Sequence, residues 1–195
     1  MLIRLNDEKV IRVEKIGLNH AGMLVKFGNK MRSEAPYDSH GLIHKRYTLK
    51  MEIKLIKRQM KNHHSPYIAI SNGEVVGVAD INSMGGELSR HVAYCGYVVA
   101  KEFRGTGLAY FLIYAAAKHA KRSIKTVLAA ILPQNKASVY FFKHCGGIEV
   151  GKFKKTIFSK CSGRYYDEIY MQVPLAGLIK NSNRMWKLKG IKEKL

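Results

Sequence analysis

Acidic residues are scarce in this chain. Its 195 residues include 14 Asp and Glu against 34 Lys and Arg, a formal net charge of +20. A field of that sign favours polyanions, acidic membranes or acidic partners and carries no information about fold. Lysine-rich composition serves solubility as well, so charge alone identifies no partner. Cysteine is scarce too: Cys95, Cys145 and Cys161 are odd in number and form no CxxC pair. Reduced thiols in a cytoplasmic protein are the simplest account, and no metal is expected. Long apolar runs are missing. The longest, Leu108 to Ala117, has ten residues, half of the roughly twenty that span a bilayer. The N-terminus lacks the basic, apolar and small-residue succession of a signal peptide. The expectation is a soluble cytoplasmic protein without a transmembrane segment.

What is present reads as one globular domain. Apolar content of 47% and charged content of 25% are ordinary, the length suffices to bury a core, and no repeat or linker divides the chain. Alternation in "KVIRVEKI" (9–16) predicts a strand, "NHAGMLVKFGNKMR" (19–32) a helix and "SEAPYDSHG" (33–41) a loop. In "HKRYTLKMEIKLIKRQMK" (44–61), Leu49, Ile53, Ile56 and Met60 share one helical face. Lys50, Lys54, Lys57 and Lys61 form a second stripe, so an amphipathic helix with a cationic flank is predicted. "SPYIAISNGEVVGVADIN" (65–82) reads as a hairpin turned by Asn-Gly. A strand at 91–100 precedes a glycine-rich turn and an alanine-rich helix. "TVLAAIL" (126–132) has the continuous apolar run of a strand buried on both faces. "PQNKASVYFFKHCGG" (133–147) reads as a helix opened near Asn135 and stopped by glycines. Residues 148–158 and 165–175 then form an antiparallel pair, and 176–195 a basic extension.

The turn after the 91–100 strand reads "FRGTGLAYF" (103–111). Small residues let backbone approach a ligand, and unpaired N–H groups at the positive end of a helix dipole face an anion. A nucleotide P-loop requires GxxxxGK followed by Ser or Thr, and no such lysine follows here. A dinucleotide fingerprint requires glycine where Tyr110 stands and an acidic residue ending the next strand, where "TVLAAIL" has none. The remaining pattern, Arg-x-x-Gly-x-Ala over Arg104 to Ala109, resembles the acyl-CoA pyrophosphate loop of the GNAT N-acetyltransferase superfamily. Val99, five residues before Arg104, stands where that family's central strand carries its CoA-binding valine. Asn135 to Gly146 resembles its "N…A…Y…G" helix, and "YYDEIYMQVPL" its final strand. The resemblance covers roughly residues 1–175.

The resemblance implies an α/β (α+β) GNAT fold: a mixed central sheet of six to seven strands flanked by helices, with a splayed central pair holding CoA. Residues 1–175 would be the acetyltransferase domain and 176–195 its basic C-terminal extension. The implied activity is an acyl-CoA-dependent N-acyltransferase, most simply one moving acetyl from acetyl-CoA to a primary amine. CoA contacts would fall on Tyr97, Val98 and Val99, on the loop Arg104, Gly105, Thr106, Gly107, Leu108 and Ala109, and on Asn135, Ser138 and Phe142. Two positions depart from the family pattern. Phe142 stands where many members carry a tyrosine acid, and Ala93 where some carry a carboxylate base. Tyr140 is the candidate replacement acid. His91, on the same strand face as Ala93, is the candidate proton relay; Glu87, Tyr165 and Tyr166 are further candidates.

The acceptor stays open. The stripe Lys50, Lys54, Lys57 and Lys61, with Lys152, Lys154, Lys155, Lys160 and Arg164 and the tail's lysines, suggests an anionic acceptor such as aminoacyl-tRNA or modified DNA or RNA. A small-molecule or protein amine is the competing reading. A GNAT-like binding module with its chemistry lost is a third, favoured by Phe142 and Ala93 and opposed by the intact loop. The tail's Leu178, Ile179, Met185, Trp186 and Leu188 suit a membrane surface, the protein's own domain or a second subunit, so a homodimer is among the expectations.

Overall fold

A computed structural model describes residues 1–34, 46–61, 66–120 and 122–194. Asn72 and Gly73 both take left-handed φ, 48° and 78°, as a two-residue hairpin turn of the primed kind requires. They join β3 (Tyr67–Ser71) to β4 (Glu74–Ser83). Around this hairpin the chain adds β1 (Leu2–Arg4), β2 (Val10–Lys15), β5 (Val92–Val99), β6 (Thr126–Ile131), β7 (Ile148–Ser159), β8 (Arg164–Pro174) and β9 (Lys192–Lys194). The sheet order is β7-β8-β6-β5-β4-β3-β2-β1-β9, and β5 with β6 is its parallel pair.

Helices cover both faces. On one side lie α3 (Leu108–Lys118), α4 (Lys136–His144) and α5 (Leu175–Leu188). Their core joins Leu108, Phe111 and Leu112 to Phe141, Leu178 and Trp186 over Ala93, Val127 and Val173. On the other side α1 (Ala21–Glu34) and α2 (Leu49–Lys61) place Leu24, Phe27, Met31 and Ile56 on Ile68, Ile70 and Val98. None of the described helices is long and apolar enough to cross a membrane.

The structure modifies three sequence expectations. The sheet has nine strands rather than six or seven, because β1 and β9 extend its far edge. The basic stretch 176–195 supplies one of them. It also supplies the helix α5, whose Trp186 meets Phe111 edge-on at 5.3 Å, so the segment is built into the core. Finally, α2 starts at Leu49 behind a Thr48 cap, whose Oγ1 accepts the Met51 N–H at 3.4 Å. Its buried face is rotated from the expected one: Leu49 and Met60 are about half exposed (52% and 59%) while Glu52 turns inward with Ile56. The inward face packs Ile56 into the apolar core and brings Glu52 to the wall of a cavity. Residues 44–45 and 65 of the expected helix and hairpin, and 35–41 of the expected loop, lie outside the described residues.

Candidate active site

The site exists because two neighbouring strands are each held by a different partner. β5 keeps register with β4 to Val99, opposite Gly77. β6 keeps register with β8 to Ile131, opposite Ile169. Between them pairing stops at Tyr94–Leu128, and the strands part like a V. The Ala100 N–H donates to the Val76 carbonyl at 2.9 Å. By strand alternation, Tyr97 and Val99 therefore turn their N–H groups away from β4 and into the opening. Two cavities meet there, sharing Tyr97, Val98, Asn135 and Ser138.

The first, about 480 Å³, is lined by Val99, Arg104, Gly105, Gly107, Leu108 and Ala109, with Ser138 and Tyr140 opposite. Gly105 and Gly107 take φ of 77° and 92°, a conformation that side chains oppose. Gly107 precedes α3 directly, so the helix aims its positive end at the loop. Bare amides beside a helix N-terminus could hold the phosphates of acetyl-CoA, and the adjoining V could take its pantetheine arm. Thr106 is turned inward: its hydroxyl donates to the Phe103 carbonyl at 2.7 Å and accepts the Leu108 N–H at 3.4 Å. The Arg104 guanidinium is likewise occupied. Its Nε donates to the Val99 carbonyl at 3.1 Å and Nη2 to the Glu34 carbonyl at 2.9 Å, tying β5 to the end of α1.

The second cavity, about 380 Å³, opens on the α1/α2 side. Leu24, Phe27, Leu55 and Val78 wall it, and Glu52, Asp80 and Glu168 reach it from α2, β4 and β8. Among the described residues that line it there is no Lys, Arg or His. Burial pushes the Asp80 carboxyl up to about 6, against the opposing pull of the Asn82 side-chain amide and the Gly96 N–H. Asn82 Nδ2 donates to Asp80 Oδ2. Glu168 accepts the Thr156 hydroxyl at 2.9 Å. Neither sequence motif nor spacing had marked these carboxylates.

Where the cavities join, the Tyr97 hydroxyl donates to Ser138 Oγ at 3.3 Å. Its ring packs on Phe141 and Phe142, at 4.4 and 6.2 Å between centroids, and burial raises its pKa. Asn135 caps α4, accepting the Ser138 N–H at 3.2 Å, which fixes the hydroxyl that Tyr97 meets. Phe142 is buried and borders the second cavity, not the first. Tyr140 borders the first, is 64% exposed, and rests on His144 at 3.9 Å. His91 stands at the opposite end of β5. It lines a shallow hollow with Ser83, Arg90 and Lys125, about 17 Å along the strand from Gly96 at ~3.3 Å per residue. Glu87, Tyr165 and Tyr166 line neither cavity. Lys50, Lys54, Lys57 and Lys61 are exposed on the outer side of α2, and none borders the cavity that Glu52 enters.

The comparisons with known proteins agree with this geometry. Residues 31–146, more than half of the chain, match the acetyltransferase (GNAT) family model. No curated protein matches. Among solved structures, a GNAT-family acetyltransferase from Streptococcus pneumoniae superposes with a TM-score of 0.74 at 20% identity, over 84% of this chain and 99% of the other. Ribosomal-protein-alanine N-acetyltransferase from Brucella melitensis gives 0.74 at 21%, over 84% and 99%. Spermidine N-acetyltransferase from Vibrio cholerae, solved with CoA and spermine, gives 0.68 at 16%, over 87% and 98%. The family match, laid over a splayed parallel pair and a glycine loop at a helix N-terminus, places this chain in the GNAT acetyltransferase family.

Proposed function

We propose that this acetyltransferase moves the acetyl group of acetyl-CoA to the primary amine of a cationic acceptor, a small molecule or an exposed protein amine. One observation carries the choice. In a protein of net charge +20, the cavity facing the reaction point is lined by three carboxylates and no cation among its described residues. Such a lining attracts ammonium groups and repels phosphates and carboxylates. The Vibrio cholerae relative's polycationic substrate accords with it.

The chemistry follows from the residues at the junction. A lysine-like ammonium costs about 4–5 kcal/mol to deprotonate at pH 7. The amine attacks in its neutral form, its first proton having passed to solvent. Once the nitrogen bonds to the thioester carbon it becomes strongly acidic, and Asp80, ionised at pH 7, takes the second proton. The N–H of Val99 faces the opening and stabilises the carbonyl oxygen as it gains charge. The departing thiol has a reference pKa of about 8.5, below that of Tyr97, so full proton transfer from Tyr97 is uphill. The Tyr97 hydroxyl, steadied by Ser138, acts by hydrogen bonding to the sulfur. It replaces the hydroxyl absent at Phe142.

The test matches chain length and reverses the far charge. With acetyl-CoA, thiol release from 1,4-diaminobutane should exceed that from 4-aminobutyrate by tenfold or more in kcat/KM. Equal rates, or the reverse order, would overturn the cationic acceptor.

A further inference from the structure

Three phosphates of acetyl-CoA need compensating charge, yet Arg104 has two of its N–H groups bonded to the carbonyls of Val99 and Glu34. The Glu34 carboxylate on the same wall accepts the Lys101 N–H at 2.9 Å and lies 3.5 Å from the Lys30 ammonium. His144 bonds its own helix through Nδ1 and the Tyr140 carbonyl at 2.9 Å. The loop therefore offers amides, a helix dipole and an Arg104 charge whose N–H groups are turned in part onto protein carbonyls. One more cation lines this cavity, Lys189, just past the end of α5.

Lys189 is held in place from both sides. Upstream, Trp186 is buried against Phe111, and the Lys189 N–H donates to the Met185 carbonyl at 3.2 Å. Downstream, Gly190 turns with φ of 73°, Ile191 is buried, and β9 pairs with β1. The lysine stem lies along the loop itself. A Cβ placed on Gly107 would meet Lys189 Cβ at 2.6 Å and Cγ at 3.0 Å. The residue remains exposed, and it makes no ion pair among the described residues. Gly107 thus admits both the ligand on one side and this stem on the other.

We propose that Lys189 is a phosphate-binding residue for acetyl-CoA, delivered to the pyrophosphate loop by a segment outside the stretch that matches the family model. This rests on the assignment of the first cavity to acetyl-CoA. The α5–β9 segment then has two roles joined by geometry. Its apolar face completes the core, and the residue that caps its C-terminus sets a charge beside the bare amides. A free lysine also adapts to either the pyrophosphate or the 3′-phosphate, which a guanidinium locked onto two carbonyls does not.

Calorimetry with acetyl-CoA and 3′-dephospho-CoA, and turnover with S-acetylpantetheine, test the assignment in the full chain. K189A should raise the Kd for acetyl-CoA about tenfold, as loss of a charge-assisted contact does. K189E should raise it further, and K189R should stay within about threefold. The melting temperature of the ligand-free variants should not move, because the side chain is exposed. A penalty that persists with 3′-dephospho-CoA assigns the pyrophosphate; one that vanishes assigns the 3′-phosphate. Either supports the proposal. Binding of acetyl-CoA by K189A within twofold of wild type overturns it. So does an equal loss in kcat/KM for S-acetylpantetheine, which has no CoA phosphate to bind. A wild-type protein that fails to bind acetyl-CoA overturns the cavity assignment itself, a result separable from either of these.

Discussion

At pH 7 a carboxyl group with a pKa of about 6 is mostly ionised yet more basic than an ordinary aspartate, which is the compromise a proton acceptor needs. Asp80 reaches that value because burial penalises its charge. The same penalty acts on the fold. Folded protein holds the Asp80 proton more tightly than unfolded chain, so this contribution to stability falls as pH rises from about 4 to 6 and stays unfavourable above. The rise from 3.8 to about 6 corresponds to roughly 3 kcal/mol at most. D80N should therefore raise stability at pH 7 by about 1–3 kcal/mol, with the gain fading below pH 4. It should also lower kcat/KM by about 10²–10⁴ and remove an acid limb near pH 6. Thermal melts and rate profiles across pH check both halves together. A variant that is less stable at pH 7 and still fast would remove Asp80 from the chemistry.

Among the elements, those with local rules were legible in sequence and those set by distant partners were not. Asn72-Gly73 demands a primed turn whatever surrounds it, and Arg104 to Ala109 is constrained by backbone that must stay bare. Asn135 caps the helix that it opens. The carboxylates of the second cavity obey no local rule: the sheet order brings Asp80 and Glu168 near one another, and the packing of α2 on the sheet adds Glu52. Periodicity on α2 pointed to Leu49 and Met60 because it counts apolar residues, whereas the inward face of a cavity-lining helix carries a glutamate. His91 shares a strand face with the splay but stands at its closed end; alternation gives the face, and the residue count to Tyr97 and Val99 already gives the distance. The tail was hidden by its basic residues, with Lys180 and Arg184 falling between Leu178, Ser182 and Trp186, the side that packs. Trp186→Ala should accordingly cost about 3–5 kcal/mol and lower the melting temperature by roughly 6–20 °C. A shift under two degrees would mean that α5 is an appendage rather than part of the core.

Across the whole molecule, charge is sorted by place. Carboxylates line the second cavity while Lys50, Lys54, Lys57 and Lys61 face outward from the helix that carries Glu52 inward. A field from +20 acts over about a Debye length, 8 Å at physiological salt, so it reaches polyanions at the surface without setting what enters a walled cavity. Surface binding and reaction are thus separable properties. Single-stranded RNA should bind with an affinity that falls log-linearly with salt, at about 0.7 per phosphate contact. Reversing Lys50, Lys54 and Lys57 to Glu should lower that slope by about 2 if all three contact phosphates. The same triple variant should turn over 1,4-diaminobutane within about twofold of wild type, because none of the three borders the cavity. Salt titrations of labelled RNA beside thiol-release kinetics measure the two effects on one protein. If amine turnover collapsed along with RNA binding, the stripe would belong to the acceptor site, and a nucleic-acid-linked amine would replace the free cationic one as the substrate.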